Sequence, residues 1–161
     1  MIPLTGIGYD VHRFCAGRPL VLGGVEIPSE MGLDGHSDAD VLCHAIADAV
    51  LGAVGEKDIG HHFPNTDASL GGISSLELLR RVMVIIKSHG ARLLNIDSSL
   101  IAEAPKVGPH VEAMRVRLGE VLGLPPARIG VKATTNESMG FVGRKEGIAA
   151  LAVATVLIPD A

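Results

Sequence analysis

The stretch HSDADVLCHAIADAVLGAV, residues 36–54, is where the chain changes period. Within it Val41, Ala45, Ile46, Ala49 and Val50 recur at helical spacing over Ala39 to Val54, and Asp38 just ahead of them has the short acceptor side chain of an N-cap. Upstream, Leu4 to Arg13 and Leu20 to Ile27 are short and apolar or alternating, separated by Ala16, Gly17 and Arg18, which predicts two strands paired as a hairpin. Downstream, Ser74 and Glu77 stand at capping-box spacing before a second helix with its apolar face on Leu78, Val82, Ile85 and Ile86 and its stop at Gly90. Arg92 to Ala102, Ile129 to Thr134 and Ile148 to Ile158 read as strands, and Pro109 to Leu122 as a third helix closed by Gly123. Strands and helices mixed in this way predict a single α+β domain over residues 1–161, with one face of a sheet covered by helices. Between Gly55 and Gly72, EKDIGHHFPNTDASLGG shows no period and is expected to be an exposed, mobile loop.

Composition narrows the function classes. A chain of 161 residues that is 47% hydrophobic and 20% charged has enough apolar surface for a core. The net charge of -4 disfavours nucleic acid and anionic membrane as partners, and 2% aromatic content leaves little to stack on bases. Cys15 and Cys43 are too few for a disulfide scaffold and are expected to be reduced, buried small hydrophobes. The first residues, MIPLTGIGYD, lack the pattern of a signal peptide, and Ile148 to Ile158 is too short to span a bilayer, so a cytoplasmic location is expected.

Two groups of residues carry chemistry. Asp10 and His12 sit two apart in a strand-like segment, so both side chains point to the same face and could grip one ion. His44 lies one helical turn from both Asp40 and Asp48 and is the best third ligand, giving an Asp/His/His set with an open position, the catalytic pattern of zinc. Ordinary half-buried histidines would show the same spacing, and spacing alone leaves both readings standing. The second group is KATTNESMGFVGR, residues 132–144, whose hydroxyls, glycines and Glu137 follow a strand and suit phosphate and a hard divalent cation. A Gly-containing hairpin would look alike. IAEAPK, residues 101–106, sets a turn and Lys106 after a strand, as a plain strand-to-helix turn also would.

Taken together, GYDVHRF (8–14), HSDADVLCHAIADAVLGA (36–53), KDIG (57–60), FPNTD (63–67), IAEAPK (101–106) and KATTNESMGFVGRKEGIA (132–149) resemble the 2-C-methyl-D-erythritol 2,4-cyclodiphosphate synthase family from Gly8 to Ile158. The resemblance implies a ferredoxin-like α+β subunit in a homotrimer whose active sites lie between subunits. It implies cyclisation of 4-diphosphocytidyl-2-C-methyl-D-erythritol 2-phosphate with release of CMP, in non-mevalonate isoprenoid precursor synthesis. Zinc would bind Asp10, His12 and His44, and Mg2+ or Mn2+ would bind Glu137. Thr135, His36 and Asp48 would stand nearest the chemistry, Thr135 fixing the diphosphate and Asp48 orienting a histidine ligand. His36 and Ser37 would grip the polyol phosphate, and Asn65 and Asp67 of FPNTD would face the polyol, Asn65 replacing a carboxylate common in the family. Ala102, Ala104, Pro105, Lys106 and Thr134 would hold the cytidine diphosphate end, with Asp58 and Gly60 of the neighbouring chain on the ribose. Phe141 and Arg144 match the lining of a trimer-axis cavity for an isoprenoid diphosphate, although Leu151 stands where some members have an acid. A zinc phosphohydrolase releasing a linear ester, and a metal-stabilised trimeric binding module without turnover, are the competing readings.

Overall fold

Two glycines set the layering. In the first strand, β1 (Ile2–Cys15), a Cβ on Gly8 would lie 1.9 Å from the carbonyl oxygen of Ala45, and one on Gly6 would lie 2.0 Å from that of Ala49. Both carbonyls belong to the first helix, α1 (Val41–Ala53), which therefore lies directly on β1. Eleven of the thirteen residues of α1 are buried, so it is an interior helix. The computed structural model describes residues 1–160. After β1 come β2 (Leu20–Leu22), β3 (Val25–Ile27), β4 (Gly32–Leu33), α1, α2 (Ile59–His62) and α3 (Ser75–Ser88). The rest comprises β5 (Arg92–Ile101), α4 (Val111–Leu122), β6 (Lys132–Thr134), α5 (Gly140–Gly143) and β7 (Gly147–Ile158).

The main sheet has the order β4-β1-β7-β5-β6. Strands β1 and β7 pair antiparallel from Ile2↔Ile158 to Arg13↔Gly147, and β5 joins the other side of β7. Helix α4 returns the chain so that β6 lies parallel to β5, with Ile101 opposite Thr134. With the short β2–β4, α2 and α5 left aside, the chain follows a β-α-β-α-β-β order through β1, α1 and α3, β5, α4, β6 and β7. This corrects the expected ferredoxin-like order, β-α-β-β-α-β, because the parallel β5–α4–β6 unit comes before the chain turns back to insert β7 between β1 and β5. Helix α1 packs on β1 and β7, and α3 packs on α1 and α4. On the opposite face of the sheet Ile7, Tyr9, Leu151 and Val153 stay exposed.

Other local expectations are corrected by long-range contacts. Leu20 to Ile27 does not pair with β1 but folds on itself around Gly23 and Gly24, both at positive φ. The N-cap of α1 is Asp40 rather than Asp38; its carboxylate accepts from the N–H of Cys43 (3.1 Å), Gly23 (2.9 Å) and Gly24 (2.7 Å). Asp38 caps α3 instead, accepting from the N–H of Ser75 at 3.0 Å, while among the described residues Ser74 makes no side-chain capping bond and Glu77 turns to Arg80 and Arg81. The stops at Gly90 and Gly123 hold, both residues having φ near +70° (69° and 68°). The 55–72 segment contains α2 and a 3-10 turn at Ala68–Leu70. The third helix begins at Val111 after a separate 3-10 turn, and the Ile129 strand shortens to Lys132–Thr134. Cys43 is buried, Cys15 only half-buried, and both are free.

Candidate metal centre

Because Gly6, Gly8, Asp10 and His12 alternate onto one face of β1, the face that carries the helix contact at its glycines carries the two polar side chains beyond them. The close approach of α1 then delivers His44. Asp10 Oδ2 lies 2.9 Å from His12 Nε2 and 3.1 Å from His44 Nδ1, and the two ring nitrogens are 3.1 Å apart. The sequence-predicted triad is therefore one cluster, its ligand atoms all within 4.8 Å of one another.

The far side of each ring is also fixed. His12 Nδ1–H donates to the Asp34 carbonyl at 2.6 Å, which leaves the Nε2 lone pair for the cluster. His44 Nε2–H donates to Ser75 Oγ at 2.9 Å, with Ser37 Oγ at 3.2 Å, which leaves the Nδ1 lone pair. Ser75, fully buried, passes its own O–H to Asp38 Oδ1. Two imidazole lone pairs and a carboxylate oxygen converging on one point, with their opposite sides tied down, suit a divalent metal ion. Burial alone would raise the Asp10 carboxyl, but the hydrogen bonds it accepts from His12 and His44 when those rings are protonated outweigh it and hold the group below its ordinary value. Burial likewise opposes charge on His12, yet the adjacent Asp10 carboxylate holds its ring above the ordinary value.

The triad opens into a cavity of about 230 Å³. His36, Ser37, Gly60 and Asn65 line its polar part, and Ile59, Phe63, Leu70, Ile73 and Leu78 form an apolar wall. Asp67 caps the 3-10 turn: its carboxylate accepts from Ser69, whose hydroxyl holds it below its ordinary value, and its carbonyl meets His36 Nε2 at 3.0 Å. Asp58 caps α2, accepting from the N–H of His61 at 3.0 Å. Asp48 differs from expectation. Among the described residues its carboxylate hydrogen-bonds neither histidine and instead accepts from the N–H of Ile59 at 2.8 Å, which anchors the cavity wall to α1; burial raises it. Asp40, on the expected ligand face, is fully buried in its capping role.

The second group lies elsewhere. Thr134 ends the edge strand β6, Thr135 and Glu137 follow it, and the exposed Lys106 follows the neighbouring β5. Ala102 joins them, its N–H donating to the Thr134 carbonyl at 2.9 Å, while Ala104 and Pro105 line a second cavity with Phe14 of β1 and Lys145. Phe141 sits on α5, and Arg144 at its end pairs with Glu146 at 2.9 Å. Ser75 and Asp38 escaped the sequence reading as supports of the metal cluster, since nothing local marks a contact between residues 31 or 37 positions apart.

A model of the YgbB family matches residues 4–157. The chain is 59% identical to the 2-C-methyl-D-erythritol 2,4-cyclodiphosphate synthase of Akkermansia muciniphila, an alignment covering 99% of this chain and 95% of that one. Its structure is similar to that of the bifunctional IspDF from Campylobacter jejuni, with 44% identity and a TM-score of 0.94 over 99% of this chain and 43% of that longer one. It is similar also to IspF from Plasmodium falciparum in a CDP complex, with 30% identity, a TM-score of 0.84, and 98% and 97% coverage. With the matched model spanning nearly the whole chain, the protein belongs to the YgbB family.

Proposed function

We propose that this protein is an enzyme that converts 4-diphosphocytidyl-2-C-methyl-D-erythritol 2-phosphate to 2-C-methyl-D-erythritol 2,4-cyclodiphosphate and CMP, in non-mevalonate isoprenoid precursor synthesis. The observation that carries this reading is the Asp10/His12/His44 cluster opening into a cavity of about 230 Å³, in a chain 59% identical to a relative of that name. An oxygen of the substrate's own 2-phosphate forms a bond to the β-phosphorus, the bond from the β-phosphorus to the bridging oxygen breaks, and that oxygen leaves with the electron pair on CMP. No protein group need take up a proton, so the chain's task is to align the reactants and offset charge.

The triad would hold zinc and Glu137 would hold Mg2+ or Mn2+; bound there, such ions supply charge stabilisation at the phosphate oxygens. His36 and Ser37 hold the polyol phosphate, and Asn65 and Asp67 face its hydroxyls. Thr134, Thr135 and Lys106 hold the diphosphate, while Ala102, Ala104 and Pro105 meet the pyrimidine. A CDP complex of a structurally similar protein supports a cytidine ligand for that end.

Within one chain the triad and the Thr135 turn stand apart, since β7 and β5 separate β1 from β6, roughly 14 Å at about 4.8 Å per strand. A site shared between chains joins them, with Asp58 and Gly60 beside the triad of one subunit and the 101–106 and 134–137 segments from the next. The exposed apolar sheet face supports a homotrimer, Ile7 being 72% and Tyr9 51% exposed in the single chain. In such a trimer Phe141 and Arg144 would line an axial cavity for an isoprenoid diphosphate, tested by thermal shift with farnesyl diphosphate; equal shifts for wild type and Arg144→Ala would exclude it. Among the described residues no helix is long and apolar enough to cross a membrane. A cytoplasmic location is part of the proposed reading.

Turnover in 18O-labelled water tests the reaction type. Cyclisation leaves the product unlabelled, whereas a metal-bound water attacking the diphosphate would place one 18O in a linear ester.

A further inference from the structure

The turn after β6 holds a conformation that its residues do not favour by themselves. Glu137 and Ser138 are consecutive non-glycine residues in the left-handed region, with φ of 53° and 61°. What holds them comes from the other segment. Glu103 Oε1 accepts from the N–H of Asn136 at 3.1 Å and from the N–H of Ser138 at 3.0 Å, so one carboxylate oxygen brackets Glu137 from both sides. The turn adds its own supports: Thr135 Oγ1 accepts from the N–H of Glu137 at 3.2 Å, and Asn136 Nδ2 donates to the Met139 carbonyl at 2.9 Å. A Cβ on Gly143 would lie 2.1 Å from the carbonyl carbon of Ser138, so the turn rests directly on α5. Glu103 is half-buried, and its two backbone bonds are of the charge-assisted kind.

We propose that Glu103 is a positioning residue that locks the 135–138 turn in its ligand-binding form before ligand arrives, tying the diphosphate segment to the pyrimidine segment in which Glu103 itself sits. The inference rests on the roles given to Thr135 and Glu137 under Proposed function. With Glu103 in place, the Glu137 carboxylate is carried on a backbone clamped at both neighbours, and binding need not order the turn. Without it Glu137 and Ser138 relax toward ordinary φ, and Thr135 and Glu137 lose their common aim. The zinc cluster, supported from Asp34 and Ser75, is untouched.

The experiment is calorimetric titration of CDP with Mg2+ into zinc-loaded wild type, Glu103→Ala and Glu103→Gln, with zinc content measured on each. Glu103→Ala should bind CDP roughly tenfold more weakly at unchanged zinc content, as expected for losing an acceptor shared by two amides. Glu103→Gln keeps an oxygen at the same place and should stay within about threefold of wild type. Equal CDP affinity for wild type and Glu103→Ala overturns this inference alone. Failure of wild type to bind CDP overturns it together with the nucleotide reading. A Glu103→Gln protein as weak as Glu103→Ala overturns positioning, because charge rather than geometry would then be what matters. Hydrogen exchange decides independently of how the variants fold: in ligand-free wild type the Asn136 and Ser138 amides should be protected, and rapid exchange of both would overturn the clamp.

Discussion

Replacing Ser75 with Ala tests how the metal cluster is built from outside its own ligands. Ser75 is fully buried, accepts from His44 Nε2–H at 2.9 Å and donates to Asp38. The substitution leaves His44 Nε2, among the described residues, with the 3.2 Å contact to Ser37 Oγ as its remaining partner. It leaves Asp38 with two backbone donors, the N–H of residue 75 at 3.0 Å and of Asp40 at 3.1 Å, so the cap of α3 survives. Because each lost partner has a fallback, the cost is that of a net hydrogen bond, about 1 kcal/mol, and not that of an orphaned buried group. At the metal this corresponds to roughly fivefold to tenfold weaker zinc binding, the low end of what outer-shell changes cause. Competition against a chromophoric chelator gives the affinity, and thermal unfolding of the metal-free variant should show a melting point lower by about 2–4 °C. Zinc affinity within twofold of wild type would refute the idea that Ser75 orients His44.

Further outcomes follow from the same geometry. Gly8→Ala would put a methyl group 1.9 Å from the Ala45 carbonyl oxygen, forcing α1 off β1; a stability loss of about 2–3 kcal/mol or more is expected in urea titration, with weakened zinc binding as His44 moves. Zinc affinity should fall as pH drops: the His12 ring is held above its ordinary value of 6.5, and a protonated ring cannot ligate, so release begins at a higher pH than for an unperturbed histidine. The Asp10 carboxyl, held low, remains ionised across that window; zinc affinity constant from pH 8 to pH 6 would contradict this. His44→Ala should abolish zinc binding while sizing chromatography leaves the assembly unchanged, and full zinc occupancy would exclude the ligand assignment. Lys106→Ala should weaken CDP binding about tenfold without altering zinc content, and unchanged affinity by calorimetry would remove Lys106 from the diphosphate site.

What could be read from the sequence was what the backbone period makes local. Alternation in a strand put Asp10 and His12 on one face, and helical spacing placed His44 on an apolar helix, so the triad was legible before the two elements were known to touch. The glycine stops at Gly90 and Gly123 were equally local. The misplaced cap shows where this ends: Asp38 and Asp40 are chemically alike, and the choice between them is made by Gly23, Gly24 and Ser75, which are distant in sequence. The pairing of β1 with β7 joins the two ends of the chain, and the position of β7 inside the sheet overrode the expected ferredoxin-like order. Helix α2 has four residues, too few to display a period, so the cavity wall read as loop.

The central claim is ring closure at a metal-dependent site, and 31P NMR of the purified protein with 4-diphosphocytidyl-2-C-methyl-D-erythritol 2-phosphate and Mg2+, with and without a zinc chelator, tests it directly. Two coupled cyclic-diphosphate resonances growing together with CMP, and abolished by the chelator, are the predicted result. Linear phosphate esters, or a spectrum unchanged over time with folded, zinc-loaded protein, would contradict it.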